Sequence, residues 1–185
     1  MIHIRLFTIQ PYPVWEILQK TGRYVCNIKL TKHRDYDEFS FRDVYDWLAS
    51  QMAERIGQPP DDVKYPIWAW YRNDDDFSAW GNAGQKYAII TLDISPYRVV
   101  LSDHDAWNSV IGHCPVIYED DHVKWDAEWE RYMRMGKNAI YGTWPRIFRA
   151  SSAYVQATFW ELFLDDVVSV ESFISTGFIP DTALG

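Results

Sequence analysis

Apolar residues along this chain change period several times, and each change marks the edge of a predicted element. Ile2 to Thr8 is a run of strand character that Pro11 and Pro13 bring to an end. Val14, Trp15 and Leu18 then share one face of a short helix over Val14 to Thr21, with Gly22 where a left-handed cap belongs. Val25 to Leu30 reads as a weaker strand. Phe41, Val44, Tyr45, Leu48, Met52 and Ile56 recur at helical spacing and predict a helix over Phe41 to Ile56. Ser40 with Asp43 has the spacing of a capping box, and Gly57 with Pro59-Pro60 ends the helix.

Tyr65 to Trp70 is almost wholly apolar, and Pro66 inside it predicts a strand at a sheet edge or a bulge. In such a strand Trp68 and Trp70 share one face and Ile67 and Ala69 the other. A long loop, Arg72 to Gly84, holds Asp74, Asp75 and Asp76 and is a candidate binding loop. Tyr87 to Ile94 runs on apolar, as a central strand does. Ser102 and Asp105 give a second capping-box spacing before a short helix with Trp107, Val110 and Ile111. Trp125, Trp129, Tyr132 and Met133 form the stripe of a third clear helix, Trp125 to Met135. Val155 to Leu164 and Val167 to Ile174 read as two closing strands. Strands and helices are interspersed without βαβ alternation, which predicts an α+β fold with mixed or antiparallel sheets. The expectation is one domain over residues 1–185.

Composition narrows the class. The chain has 185 residues, a formal charge of −8 and an aromatic content of 17%, with 10 tryptophans. That is too rich in large side chains for disorder. No apolar run approaches the roughly 20 residues of a membrane span. The start Met1-Ile2-His3-Ile4-Arg5 lacks the pattern of a signal peptide, and the two cysteines, Cys26 and Cys114, are read as thiols. The expectation is therefore a cytoplasmic protein without membrane partners. The acidic total argues against general phosphate-backbone binding.

Three features bear on chemistry. His104, His113, Cys114 and His122 lie close in sequence but lack zinc-site spacing, so no metal is expected. Arg131 to Arg149 contains no acid, and there Arg146 and Arg149 are interleaved with aromatics, a pattern suited to a pyrophosphate or a nucleic-acid strand, or else to a solvated surface. Gln156 and Glu161 stand inside the apolar run Val155 to Leu164 and face opposite sides of one strand unless a bulge intervenes. A carboxylate in that setting needs partners or a raised pKa, unless its face of the sheet is solvated. Gln10, at the end of the first strand, is a similar polar residue.

Thr8-Ile9-Gln10-Pro11, Tyr65-Pro66-Ile67-Trp68-Ala69-Trp70, Leu101-Ser102-Asp103 before Asp105-Ala106-Trp107, and Gln156-Ala157-Thr158-Phe159-Trp160-Glu161-Leu162 resemble an uncharacterised bacterial and phage family carried as a domain of unknown function. The resemblance spans nearly the whole chain and implies no activity. A more remote similarity is to ADP-ribosyltransferase folds, especially those acting on nucleic acid. They open with a strand, a polar residue, a short helix and a glycine, as in Phe7-Thr8-Ile9-Gln10 through Gly22, and close with a strand carrying a catalytic glutamate, as in Trp160-Glu161-Leu162. The chain departs from them at Thr8, where a histidine or arginine is usual, and in its middle strand.

That similarity implies NAD as co-substrate and a nucleic-acid or protein acceptor. It implies Glu161, with Gln156, as the catalytic pair, Trp68 and Trp70 as a nicotinamide wall, and Thr8 and Gln10 as polar holders. Arg146 and Arg149 would hold the pyrophosphate. The alternative is a non-enzymatic binding or inhibitor protein whose acidic, aromatic surface, including Asp74 to Asp76 and Glu119 to Asp121, occupies a basic site on a partner. A third possibility is a nucleotide-binding module without catalysis.

Overall fold

Ile4–Pro11 forms a strand, β1, in which Leu6 and Thr8 are fully buried while Arg5 and Phe7 are not. That two-residue alternation is the burial signature of a sheet with one covered face. The computed structural model describes residues 2–26, 41–71, 80–149 and 154–177. Helix α1 (Tyr12–Thr21) follows β1 directly, with Pro13 in its first turn, where a missing N–H costs nothing. Gly22 closes the helix at φ 74°, its N–H on Leu18 O at 2.8 Å, as the sequence predicts.

After β2 (Arg23–Val25) come α2 (Phe41–Ile56), β3 (Ile67–Trp70), β4 (Lys86–Ile94) and β5 (Val100–Asp103). Then follow α3 (His104–Ile111), α4 (His122–Met135), α5 (Lys137–Tyr141), β6 (Val155–Phe159), β7 (Glu161–Phe163) and β8 (Val167–Ile174). Pro96–Arg98, Trp144–Arg149 and Leu164–Asp166 are short 3-10 segments. The fold is α+β.

The chain divides into two compact units, one of Met1–Cys26, Pro59–Val99 and Ala157–Gly185, the other of Asn27–Gln58 and Val100–Gln156. In the first unit the strands lie in the order β6-β3-β1-β4-β8, and β1 is antiparallel to both β3 and β4, as β4 is to β8. The register sets Leu6 opposite Leu92, Thr8 opposite Ile90 and Gln10 opposite Ala88 on the covered face. Phe7 opposite Thr91 and Ile9 opposite Ile89 lie on the other face and are only half-buried. β2 and β7 pair as a separate two-stranded sheet.

In the second unit α2 buries Val44, Leu48 and Met52 completely, and α3 buries Ala106, Trp107 and Val110. Tyr45 meets Trp107 edge-on at 5.8 Å, and Trp47 meets Trp144 in the same way at 5.3 Å. Burial of each such aliphatic side chain contributes roughly 1.5–3 kcal/mol, which is why α2 is the helix most plainly written in the sequence.

Several expectations are revised. β3 lies between β6 and β1 rather than at an edge, and Pro66 precedes the strand, so its missing N–H breaks no ladder bond. The N-cap of α3 is Asp103, whose carboxylate accepts from Ala106 N–H, while Ser102 is a buried residue of β5. Val155 to Leu164 is not one strand: the chain bends at Trp160 and passes from the large sheet to the small one. Gln156 to Trp160 are all buried, so no alternation was present to betray the bend. α4 begins at His122, capped by Asp121, and none of its residues is fully buried. Ser40, residues 27–30 of the weaker strand and residues 72–79 with Asp74 to Asp76 lie outside the described residues.

Candidate functional site

The first unit carries two of the expected polar features. On β1 the wholly buried Thr8 donates its hydroxyl to Trp68 O at 2.7 Å and accepts from Gln10 Nε2 at 2.8 Å. This chain of bonds is local to the covered side of the sheet. Trp70 stands opposite Phe7 in the register, and opposed residues of an antiparallel pair share a face. Trp68 and Trp70 are accordingly half-buried while Ile67 and Ala69 are buried. Thr8 and Gln10 therefore turn to one face, and the two tryptophans to the other. Trp80 meets Trp70 edge-on at 6.4 Å and is 47% exposed.

Glu161 opens β7 opposite Val25 of β2. The same two-stranded pairing brings Arg23 to it: Arg23 Nε donates to Glu161 Oε1 at 2.5 Å. The terminal nitrogens of Arg23 are committed to Asp62, at 2.8 and 2.9 Å, in a fork against a carboxylate. The hydrogen bonds to Asp62, and then to Glu161, push the Arg23 guanidinium further above its already high value. In return Arg23 holds Asp62 below the ordinary carboxylate range. Glu161 is thus a carboxylate with one oxygen fixed and a side chain 24% exposed; among the described residues Oε2 has no hydrogen-bond donor. Its backbone O accepts from Arg98, whose other terminal nitrogen pairs with Asp166 at 2.8 Å.

Neither Arg23 nor Asp62 stands out in the sequence. The only pointer to such a partner is the general demand that a carboxylate among apolar neighbours be paired.

The remaining candidates belong to the second unit. Gln156 is 4% exposed; its Oε1 lies 3.2 Å from His104 Nδ1, and its Nε2 has no partner among the described residues. Ser102 Oγ is likewise buried without a partner. Arg146 is occupied by its own fold, donating to Val116 O at 2.9 Å and to Tyr132 OH at 2.8 Å. Arg149 is exposed. Asp121 caps α4 by accepting from Val123 and Lys124 N–H, and Glu119 accepts from Asp121 N–H. Among the described residues no group of three or more His, Cys, Asp or Glu side chains is placed to hold a metal, and no helix is long and apolar enough to cross a membrane.

A family model described as a domain of unknown function (DUF3841) matches residues 5–168, a span that includes the segments from Thr8-Ile9-Gln10-Pro11 to Gln156 through Leu162. No curated protein and no solved structure matches the chain.

Proposed function

The chain belongs to the DUF3841 family, and from that premise, which brings no activity with it, we propose that it is an ADP-ribosyltransferase-type domain using NAD as co-substrate, with nucleic acid or protein as acceptor. The observation that carries the reading is the clamp on Glu161. Arg23, itself forked on Asp62, fixes Oε1 and leaves the rest of a partly exposed carboxylate to a ligand. In the reaction the bond between nicotinamide and ribose breaks, and its electron pair leaves with the nicotinamide nitrogen. Positive charge develops on the ribose, as in glycoside cleavage. A fixed carboxylate hydrogen-bonds the ribose hydroxyls, balances that charge and takes the acceptor's proton as the new bond to ribose forms.

Trp68 and Trp70, side by side on the half-buried face of β3, supply ring faces for the nicotinamide. Thr8 and Gln10 turn to the opposite face and serve the strand backbone in this reading. Gln156, Arg146 and Arg149 stand in the other unit and are assigned no step.

The test is incubation with NAD labelled in its adenylate portion, offered protein, DNA and RNA acceptors, for wild type and Glu161→Gln. Transfer that Glu161→Gln abolishes is the expected result. No transfer and no NAD cleavage by the wild type would overturn the reading in favour of a non-enzymatic binding protein. That second reading has its own support around the start of α4, where Tyr118 and Val123 are exposed within a few residues of the exposed acids Asp120, Asp121 and Asp126.

A further inference from the structure

Helix α3 ends in a turn whose left-handed position is not filled by glycine. Cys114 N–H bonds Ser109 O at 2.8 Å and His113 N–H bonds Val110 O at 3.0 Å, the pair of bonds of a Schellman cap. The residue at the left-handed position is His113, at φ 53°, the one non-glycine with positive φ among the described residues. Gly112 stands beside it at an ordinary φ of −76°. A left-handed backbone is unfavourable for a residue with a Cβ. The fold accepts that strain at a residue whose two ring nitrogens face Tyr141 and Asp43.

His113 Nδ1 lies 3.3 Å from the Tyr141 hydroxyl, and Nε2 lies 3.8 Å from Asp43 Oδ1. Asp43 sits in the first turn of α2 and Tyr141 at the end of α5. The Tyr141 ring packs on Trp144 at 4.2 Å, and the Trp144 indole N–H donates to Cys114 O at 3.0 Å. Val116 N–H donates to Thr143 Oγ1 at 2.8 Å. These bonds pin the segment just after His113 to the segment just after Tyr141. The His113 and Asp43 side chains are 37% and 50% exposed, so the site is open to a reagent.

A carboxylate, an imidazole and a hydroxyl in sequence are what activates a weak nucleophile: a base takes its proton and a third group orients the base. We propose that Asp43, His113 and Tyr141 form a nucleophile-activating site, at which the Tyr141 phenol oxygen attacks an electrophilic acyl, phosphoryl or sulfonyl centre. As the new bond from oxygen forms, the bond to the leaving group breaks and the leaving group departs with its electron pair. The phenol proton passes to His113 Nδ1, and Asp43, facing Nε2, balances the imidazolium. The 3.8 Å approach is of the length such contacts have before a substrate tightens them. The neighbouring Cys114 thiol instead donates to Gly112 O at 3.2 Å. This site is independent of the NAD reading and lies in the other unit from Glu161.

The probe is an aryl sulfonyl fluoride, with labelled tyrosines mapped by mass spectrometry and Tyr97, 87% exposed, as the internal reference. General-base help is worth about 10²–10⁴ in rate, so Tyr141 is expected to label at least about tenfold faster than Tyr97. His113→Gly removes the ring and also relieves the left-handed strain, so the fold is kept while the advantage of Tyr141 disappears. Asp43→Asn slows Tyr141 several-fold. A wild-type Tyr141 no faster than Tyr97, an advantage that survives His113→Gly, or an unchanged rate in Asp43→Asn overturns the assignment.

Discussion

Arg23 gives its Nε–H to Glu161 Oε1 at 2.5 Å, across 138 residues of chain, while its terminal nitrogens hold Asp62. Because the side chains of Arg23 and Glu161 are 34% and 24% exposed, solvent screens the pair only in part. A double-mutant cycle with Arg23→Gln and Glu161→Gln is expected to give a coupling of about 1 kcal/mol, the upper end for exposed pairs. Urea denaturation of the four proteins measures it. A coupling near zero would mean that the clamp adds nothing to stability and would remove its energetic support for the NAD reading.

The same contacts set an acid limit. Asp62 is held below the ordinary carboxylate range by its hydrogen bonds from Arg23, and Asp93 by its hydrogen bond from Arg5. For carboxylates lowered in the folded state, the stabilisation is complete above the unfolded value and is lost as pH falls through the folded one. The contribution of these two aspartates should therefore be flat above about pH 5 and decline below about pH 4, where unfolded aspartates begin to take up protons. Denaturant midpoints between those limits check this, and the decline should be shallower in Asp62→Asn.

Thr8 offers a sharper stability test. Its hydroxyl is buried and serves two partners, Trp68 O and Gln10 Nε2. Thr8→Val keeps the shape and β-branching but removes the buried hydroxyl's bonds to Trp68 O and Gln10 Nε2, at an expected cost of roughly 1–3 kcal/mol. Gln10→Ala should cost less, because Gln10 is only half-buried and the Thr8 bond to Trp68 survives. Equal losses in the two variants would show that the hydroxyl is not the keystone of this contact.

What the sequence makes legible depends on whether burial is one-sided. α2 is readable because Val44, Leu48 and Met52 are buried at helical spacing against polar neighbours, and Gly57 marks its end. The shared face of Trp68 and Trp70 is readable for the same reason at period two. The bend at Trp160 is not, since the residues leading into it, Gln156 to Phe159, are all buried and show no alternation. Glu161 can be picked out as a polar residue in an apolar run, but Arg23 and Asp62 are brought to it by strand pairing and a turn, which leave no local mark. The stripe of α4 is visible, yet Trp125 and Trp129 stack on each other at 5.0 Å and stay half-exposed, because a period gives direction and not depth.

Within the basic stretch, Arg146 and Arg149 should behave differently. Arg146 ties Val116 O and Tyr132 OH, so Arg146→Ala removes two hydrogen bonds from a charged donor and should destabilise by about 1–3 kcal/mol. Arg149 is exposed, and Arg149→Ala should stay within about 0.5 kcal/mol. If the stretch binds phosphate, Arg149→Ala should weaken it with a salt dependence and without loss of fold. Matching melting temperatures for the two variants would contradict the structural role given to Arg146.

Burial pushes the Cys26 thiol above its ordinary value, and Cys114 less deeply in the same direction. The thiolate is the reactive form, so native Cys26 should alkylate slowly at neutral pH. The sign is that of an acid raised on folding. Its contribution to stability is complete below the unfolded value near 9.0 and is lost as pH rises through the higher folded one. Iodoacetamide trapping between pH 7 and 9 should find Cys26 in the native chain well behind Cys26 in the urea-unfolded chain, with Cys114 between them. Native and unfolded rates that coincide would place Cys26 in water, where no such shift arises.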